Sequence, residues 1–177
     1  MRFLALVFVV GCTYAQHPML PDPKITPGAT DPRVTQANIQ STICKSGYTA
    51  TVRNVTQAEK KAVLQLYALG ADQIHLVEID HLVSLELAGS NELKNLWPQY
   101  YLPAKGQTGY LGARVKDVLE TWLKRQVCAG KIPLAEAQHE IATDWVAAYR
   151  KYGLDKGKGS VVPFIRMVPI PWPALDK

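Results

Sequence analysis

The chain has 177 residues, 47% of them hydrophobic, and a formal net charge of +5. That length and apolar content suffice for one domain with a real core, and they exclude disordered and collagen-like chains. The charge is uneven, with five acids against one base from residue 71 to 100 and ten bases against six acids from 101 to 160.

In chain order, Met1-Arg2, the apolar run Phe3 to Gly11 and then Thr13-Tyr14-Ala15 read as a secretory signal peptide over residues 1–15. The run is about half as long as a membrane-spanning helix requires. A second reading takes Val9-Val10-Gly11-Cys12 as a lipobox, with Cys12 acylated as a membrane anchor. If Cys12 leaves with the signal, Cys44 and Cys128 remain, and an even count in an exported chain suggests a disulfide. Two buried free thiols are the alternative.

Residues 16–40, rich in Pro, Thr and Asp without periodicity, read as a flexible or loosely docked lead-in. Thr56-Gln57-Ala58-Glu59 has capping-box spacing and opens a helix expected to run to about Leu69, with Ala62, Val63, Leu66 and Tyr67 facing the core. The β-branched stretch from Ile74 to Val83 reads as a strand carrying His75, Ala88-Gly89-Ser90-Asn91 as a turn, and Leu96 to Tyr101 as the returning strand. Val115, Val118, Leu119, Trp122, Leu123 and Val127 follow helical spacing from about Ala113 to Gly130. A further helix runs from Pro133 to near Gly153 with Leu134, Ile141, Trp145, Ala148 and Tyr149 on one face. The tail 161–177, with prolines at 163, 169, 171 and 173, is expected to be extended.

The chemistry-bearing residues lie in Glu78-Ile79-Asp80-His81-Leu82, in Leu85-Glu86-Leu87-Ala88-Gly89-Ser90-Asn91 and in Asn95-Leu96-Trp97-Pro98, with 14 positions from His81 to Asn95. This pattern, continued through Lys116-Asp117 and Val127-Cys128-Ala129-Gly130, resembles the HNH or His-Me finger nuclease superfamily from about Ile43 to Tyr152, in an exported bacterial branch. The resemblance implies an α+β fold, a ββα-metal module packed with additional helices in one domain spanning 41–160. It implies an endonuclease in which His81 is the general base, Asp80 holds one divalent cation (Mg²⁺, or Mn²⁺) and Asn95 braces the loop presenting His81. The residue types suit the task. Phosphodiester hydrolysis needs an activated water and positive charge at the phosphate; an imidazole accepts a proton near neutral pH and a carboxylate binds a hard cation.

Two points qualify the pattern. Adjacent strand residues point to opposite faces, so the strand has to end or kink at Asp80-His81 for both to meet one phosphate. The third family position, an Asn or His, falls on Gly112 here, leaving Asp117 as the nearest second metal ligand or as an ordinary surface acid. Arg53, Lys105, Arg114 and Lys116 are the bases expected to contact a nucleic acid backbone, DNA ahead of RNA, with an ion pair to an acid as the alternative for Arg53 and solvated surface positions as the alternative for the other three. The rival reading is a catalytically weakened nucleic-acid-binding protein that keeps the fold; a third is a metal-dependent hydrolase of a smaller phosphodiester. His139-Glu140 lacks the second histidine of a zinc-protease helix, since position 143 is Thr143, and the glycines near Lys158 miss phosphate-loop spacing.

Overall fold

The computed structural model describes residues 16–156. The expected signal peptide, Cys12 and the tail from 161 lie outside the described residues. The helices are α1 (Tyr48–Val52), α2 (Gln57–Leu66), α3 (Ala113–Cys128) and α4 (Leu134–Lys151), and the strands are β1 (Val77–His81) and β2 (Leu96–Tyr100). The fold is thus mixed helix and strand, in agreement with an α+β class.

β1 and β2 form an antiparallel pair in which Glu78 faces Gln99, Asp80 faces Trp97 and His81 faces Leu96. Alternation divides the ribbon into two faces. Val77 and Tyr100 pack with Leu64 of α2, joined by Ile79. On the other face Asp80 and Glu78 reach Lys116 and Arg114 of α3. The ribbon therefore lies between α2 and the N-terminal half of α3. A larger core joins α3 and α4 through Val115, Leu119, Leu123, Ile141 and Trp145, all buried.

α2 opens on the expected capping box: Glu59 N–H donates to Thr56 Oγ1 at 3.2 Å and Thr56 N–H to Glu59 Oε2 at 2.7 Å. It ends three residues early because Ala68 takes a left-handed φ of 52°. That geometry lets the Leu69 N–H reach the Leu64 carbonyl and the Ala68 N–H reach the Gln65 carbonyl, a Schellman closure. Leu66 is consequently half exposed, and Leu64 takes its place against the sheet. Val118 likewise turns outward rather than into the core.

β1 is shorter than expected. Residues Ala71–Leu76 form a 3-10 turn, held at its start by the Gln73 side chain accepting the Gly70 N–H, and this turn carries His75 on the surface. Within α4, Asp144 leaves helical geometry (φ −160°, ψ 90°) and its carboxylate accepts the Ala147 N–H, restarting the helix after a kink.

The lead-in 16–40, expected to be flexible or loosely docked, is docked by long-range hydrogen bonds and core contacts. Thr26, fully buried, donates to the Leu96 carbonyl at 2.9 Å; Gly28 N–H reaches the Lys94 carbonyl and Asp31 N–H the Ala88 carbonyl. Val34 and Ile39 enter the main core, and Trp145 Nε1 donates to the Met19 carbonyl. Long-range hydrogen bonds of this kind leave no periodic trace in the residues that make them. Cys44 and Cys128 form a disulfide with 5.6 Å between their Cα atoms, as the cysteine count suggests. Among the described residues no helix is long and apolar enough to cross a membrane.

Candidate active site

Asn95 closes the turn that follows His81. Its Oδ1 accepts the Val83 N–H at 2.9 Å and the Ala29 N–H at 3.1 Å, while Nδ2 donates to the Val83 carbonyl at 3.0 Å and the Ser90 carbonyl at 2.8 Å. The side chain is fully buried with all four of these polar contacts made. Inside the loop it braces, a Cβ on Gly89 would lie 1.7 Å from the Val83 carbonyl oxygen, so only glycine fits there. Ser84 accepts the Glu86 N–H and donates to Glu120 Oε2 at 2.8 Å, tying the same loop to α3.

His81 is the last residue of β1 and only 3% exposed. Its Nε2 lies 3.0 Å from Asn91 Oδ1. The Asn91 amide is oriented by its other contacts: Nδ2 donates to the Val52 carbonyl at 2.8 Å, and Oδ1 also receives the Asn54 N–H. An oxygen therefore faces the imidazole, Nε2 carries the proton, and Nδ1 of the neutral ring keeps the lone pair. Burial holds this imidazole below its usual 6.5, helped by the charges of Arg53 and Lys116 and opposed by the Asn91 bond and Asp80.

β1 does end at His81, but the pair does not converge through its side chains. Asp80 and His81 alternate across the ribbon, the carboxylate meeting α3 and the imidazole meeting the Asn91 turn. What joins them is Lys116, whose Nζ donates to Asp80 Oδ2 at 2.8 Å, to the His81 carbonyl at 2.7 Å and to Glu120 Oε1 at 2.5 Å. This corrects the expectation that Lys116 meets a nucleic acid backbone: its side chain is 0% exposed. Burial opposes its charge, and Asp80 and Glu120 overcome that, raising its pKa above the usual lysine range. Two carboxylates share the one ammonium, and burial, with Asp80 nearby, pushes Glu120 up to about 7 against the pull of Lys116 and Ser84.

A second base bridges the next pair of acids. Arg114 Nη1 lies 3.1 Å from Asp117 Oδ2 and 3.4 Å from Glu78 Oε2, with its guanidinium 5.3 Å from the centre of the Tyr101 ring. Burial and then the neighbouring Asp80 raise the Glu78 pKa, and Arg114 pulls it back.

The resemblance puts a divalent cation on Asp80, with Asp117 either the nearest second ligand or an ordinary surface acid. Asp80 is engaged by Lys116 and Asp117 by Arg114, so these residues do not form a divalent-ion site as arranged. Among the described residues no group of three or more His, Cys, Asp or Glu side chains is placed to hold a metal ion. Gly112 offers no replacement ligand. A Cβ there would lie 2.2 Å from the Tyr101 carbonyl oxygen, so the family's asparagine does not fit at this entry to α3.

A hollow of about 230 Å³ lies at the loop that follows β1, lined by Thr49, Arg53, Ser84, Glu86, Asp117 and Glu120, among others, and not by Asp80, His81 or Asn95. Arg53 is exposed there. A wider groove of about 450 Å³, lined in part by Arg33, Thr51, Asn54 and Asn91, shares Leu85 with it. Lys105 is exposed in the loop between β2 and α3 and lines neither concavity. Asn91 and Glu120 are the residues that sequence reasoning passed over. Asn91 stood only as part of a turn signal, whereas the four-residue step from Lys116 to Glu120 is a legible helical ion pair.

No family model, no curated protein and no solved structure matches this chain.

Proposed function

We propose that the chain is an exported endonuclease of the HNH type, hydrolysing nucleic-acid phosphodiester bonds, DNA ahead of RNA, with His81 as general base. One arrangement carries the reading: a neutral imidazole at the end of β1, with its loop clamped by the four bonds of Asn95 and α3 lying across the ribbon behind it. Nδ1 takes a proton from the attacking water. Asn91 keeps the other nitrogen protonated and the ring in place. Arg53, at the adjoining hollow, supplies positive charge to the phosphate oxygens. The disulfide and the lack of a spanning helix among the described residues fit an exported protein.

The rival, a nucleic-acid-binding protein that does not cut, draws on the near-complete burial of His81. Incubation of supercoiled plasmid and of a structured RNA with the wild type and with His81→Ala, both folded by circular dichroism, separates the two. A general base contributes about 10²–10⁴-fold. Loss of nicking by at least the lower figure supports the nuclease. Salt-sensitive binding with no product from the wild type supports the rival.

A further inference from the structure

Sequence pattern and geometry disagree about what neutralises Asp80. The pattern calls for a divalent cation, and the fold supplies an amine. Lys116 Nζ has three N–H groups, and each meets an oxygen: Asp80 Oδ2, the His81 carbonyl and Glu120 Oε1, at 2.5–2.8 Å. Hard divalent ions are bound by oxygens of these same types, carboxylate and main-chain carbonyl, at about 2.0–2.6 Å. The ammonium thus occupies the centre of a three-oxygen cage, and a dication bound to the same oxygens would sit against a fixed positive charge in a buried setting. The amine is delivered there by packing: its side chain is 0% exposed, and its neighbours Val115 and Leu119 anchor that turn of α3 in the main core. The nearby Arg114 is bound between Glu78 and Asp117, so it does not relieve Lys116 of its role.

We propose that Lys116 is the resident counter-ion of Asp80, a tethered ammonium standing in the place where the family pattern puts a divalent metal ion, so that Asp80 holds no metal in the working protein. The proposal takes the catalytic site from the nuclease reading, and its decisive readout is ion binding, which does not depend on cleavage. Lys116 acts as a positioning residue: it neutralises Asp80 and fixes the carbonyl of His81 without touching substrate.

Calorimetric titration of the full chain with Mn²⁺ tests this, using wild type, Asp80→Asn, Lys116→Met and the Lys116→Met, Asp80→Asn double variant. The wild type is expected to bind no more tightly than Asp80→Asn. Lys116→Met, with the cage vacated, is expected to gain Mn²⁺ affinity by about tenfold or more, equivalent to one decade in Kd, and to lose it in the double variant. If Lys116→Met folds only when Mn²⁺ is added, that recovery counts as the same gain. If it folds under no condition, the wild-type and Asp80→Asn pair decides alone. A saturable wild-type site at sub-millimolar Mn²⁺ that Asp80→Asn abolishes overturns the proposal, as does a folded Lys116→Met that gains nothing. Plasmid nicking in EDTA runs alongside: folded wild type that never nicks under any ion condition defeats the nuclease reading and leaves the calorimetric result for Lys116 intact.

Discussion

Replacing Asn95 with alanine removes four hydrogen bonds from a side chain that no water reaches, and the cost follows from where each partner lies. Two of the bonds serve the N–H and carbonyl of Val83 in a buried setting; the other two serve Ala29 and Ser90 in partly buried positions. A buried main-chain group left without a partner costs about 1–3 kcal/mol, and one that water can reach costs about 1 kcal/mol or less. The sum is about 4 kcal/mol, a large share of the stability of a typical domain. Urea unfolding followed by circular dichroism reads this directly, and the midpoint temperature is expected to fall by about 10 °C. Asn95→Asp sharpens the test. It keeps an acceptor for the two N–H groups but turns a second oxygen toward the carbonyls of Val83 and Ser90, so at neutral pH it should be about as damaging as alanine. Acidification should restore part of the loss, because a protonated carboxyl donates again. A destabilisation below about 1 kcal/mol for Asn95→Ala, or an Asp variant as stable as the wild type at pH 7, would refute the brace.

The disulfide closes a loop with a sequence separation of 84, for which chain entropy suggests about 4.5 kcal/mol. The Cys44→Ser, Cys128→Ser variant should lose stability of that order in urea, and the denatured, unreduced wild type should show no titratable thiol from this pair. The pH dependence of cleavage follows the imidazole. Catalysis requires the neutral form, and burial lowers the pKa beneath 6.5, so the base form persists into mildly acid solution and the acid limb of the rate profile should lie below pH 6.5. Asn91→Asp, which puts a carboxylate against Nε2, should move that limb upward; an unmoved limb would show that Asn91 does not govern the ring.

How much of the fold and site is legible in the residues depends on the range of the forces involved. The capping box at Thr56, the hairpin carrying Asp80 and His81, and most of the apolar stripes of α3 and α4 come from local spacing and are found there, with β1 shorter at both ends and Val118 outside the core. The pairing of Cys44 with Cys128 follows from an even count once Cys12 is assigned to the signal peptide. The docking of residues 16–40 is hidden, because Thr26, Gly28 and Ala29 are held by main-chain and amide partners near residues 94–96 rather than by an apolar stripe. Leu66 and Val118 fit helical periodicity and are still about half exposed, since Ala68 ends α2 early and, among the described residues, Val118 lies on the side of α3 away from the main core. Lys116 reads as a surface base for a related reason. Lysine is rarely fully buried unless paired, and its two acidic partners lie 36 residues upstream and 4 residues downstream.

Chemical rescue probes the central claim most directly. His81→Ala should bind plasmid as the wild type does yet nick it at least about a hundredfold more slowly, and free imidazole should restore a measurable part of the rate, in proportion to its neutral fraction. Nicking by His81→Ala at the wild-type rate, with or without imidazole, would contradict the assignment of the proton-accepting role to this side chain.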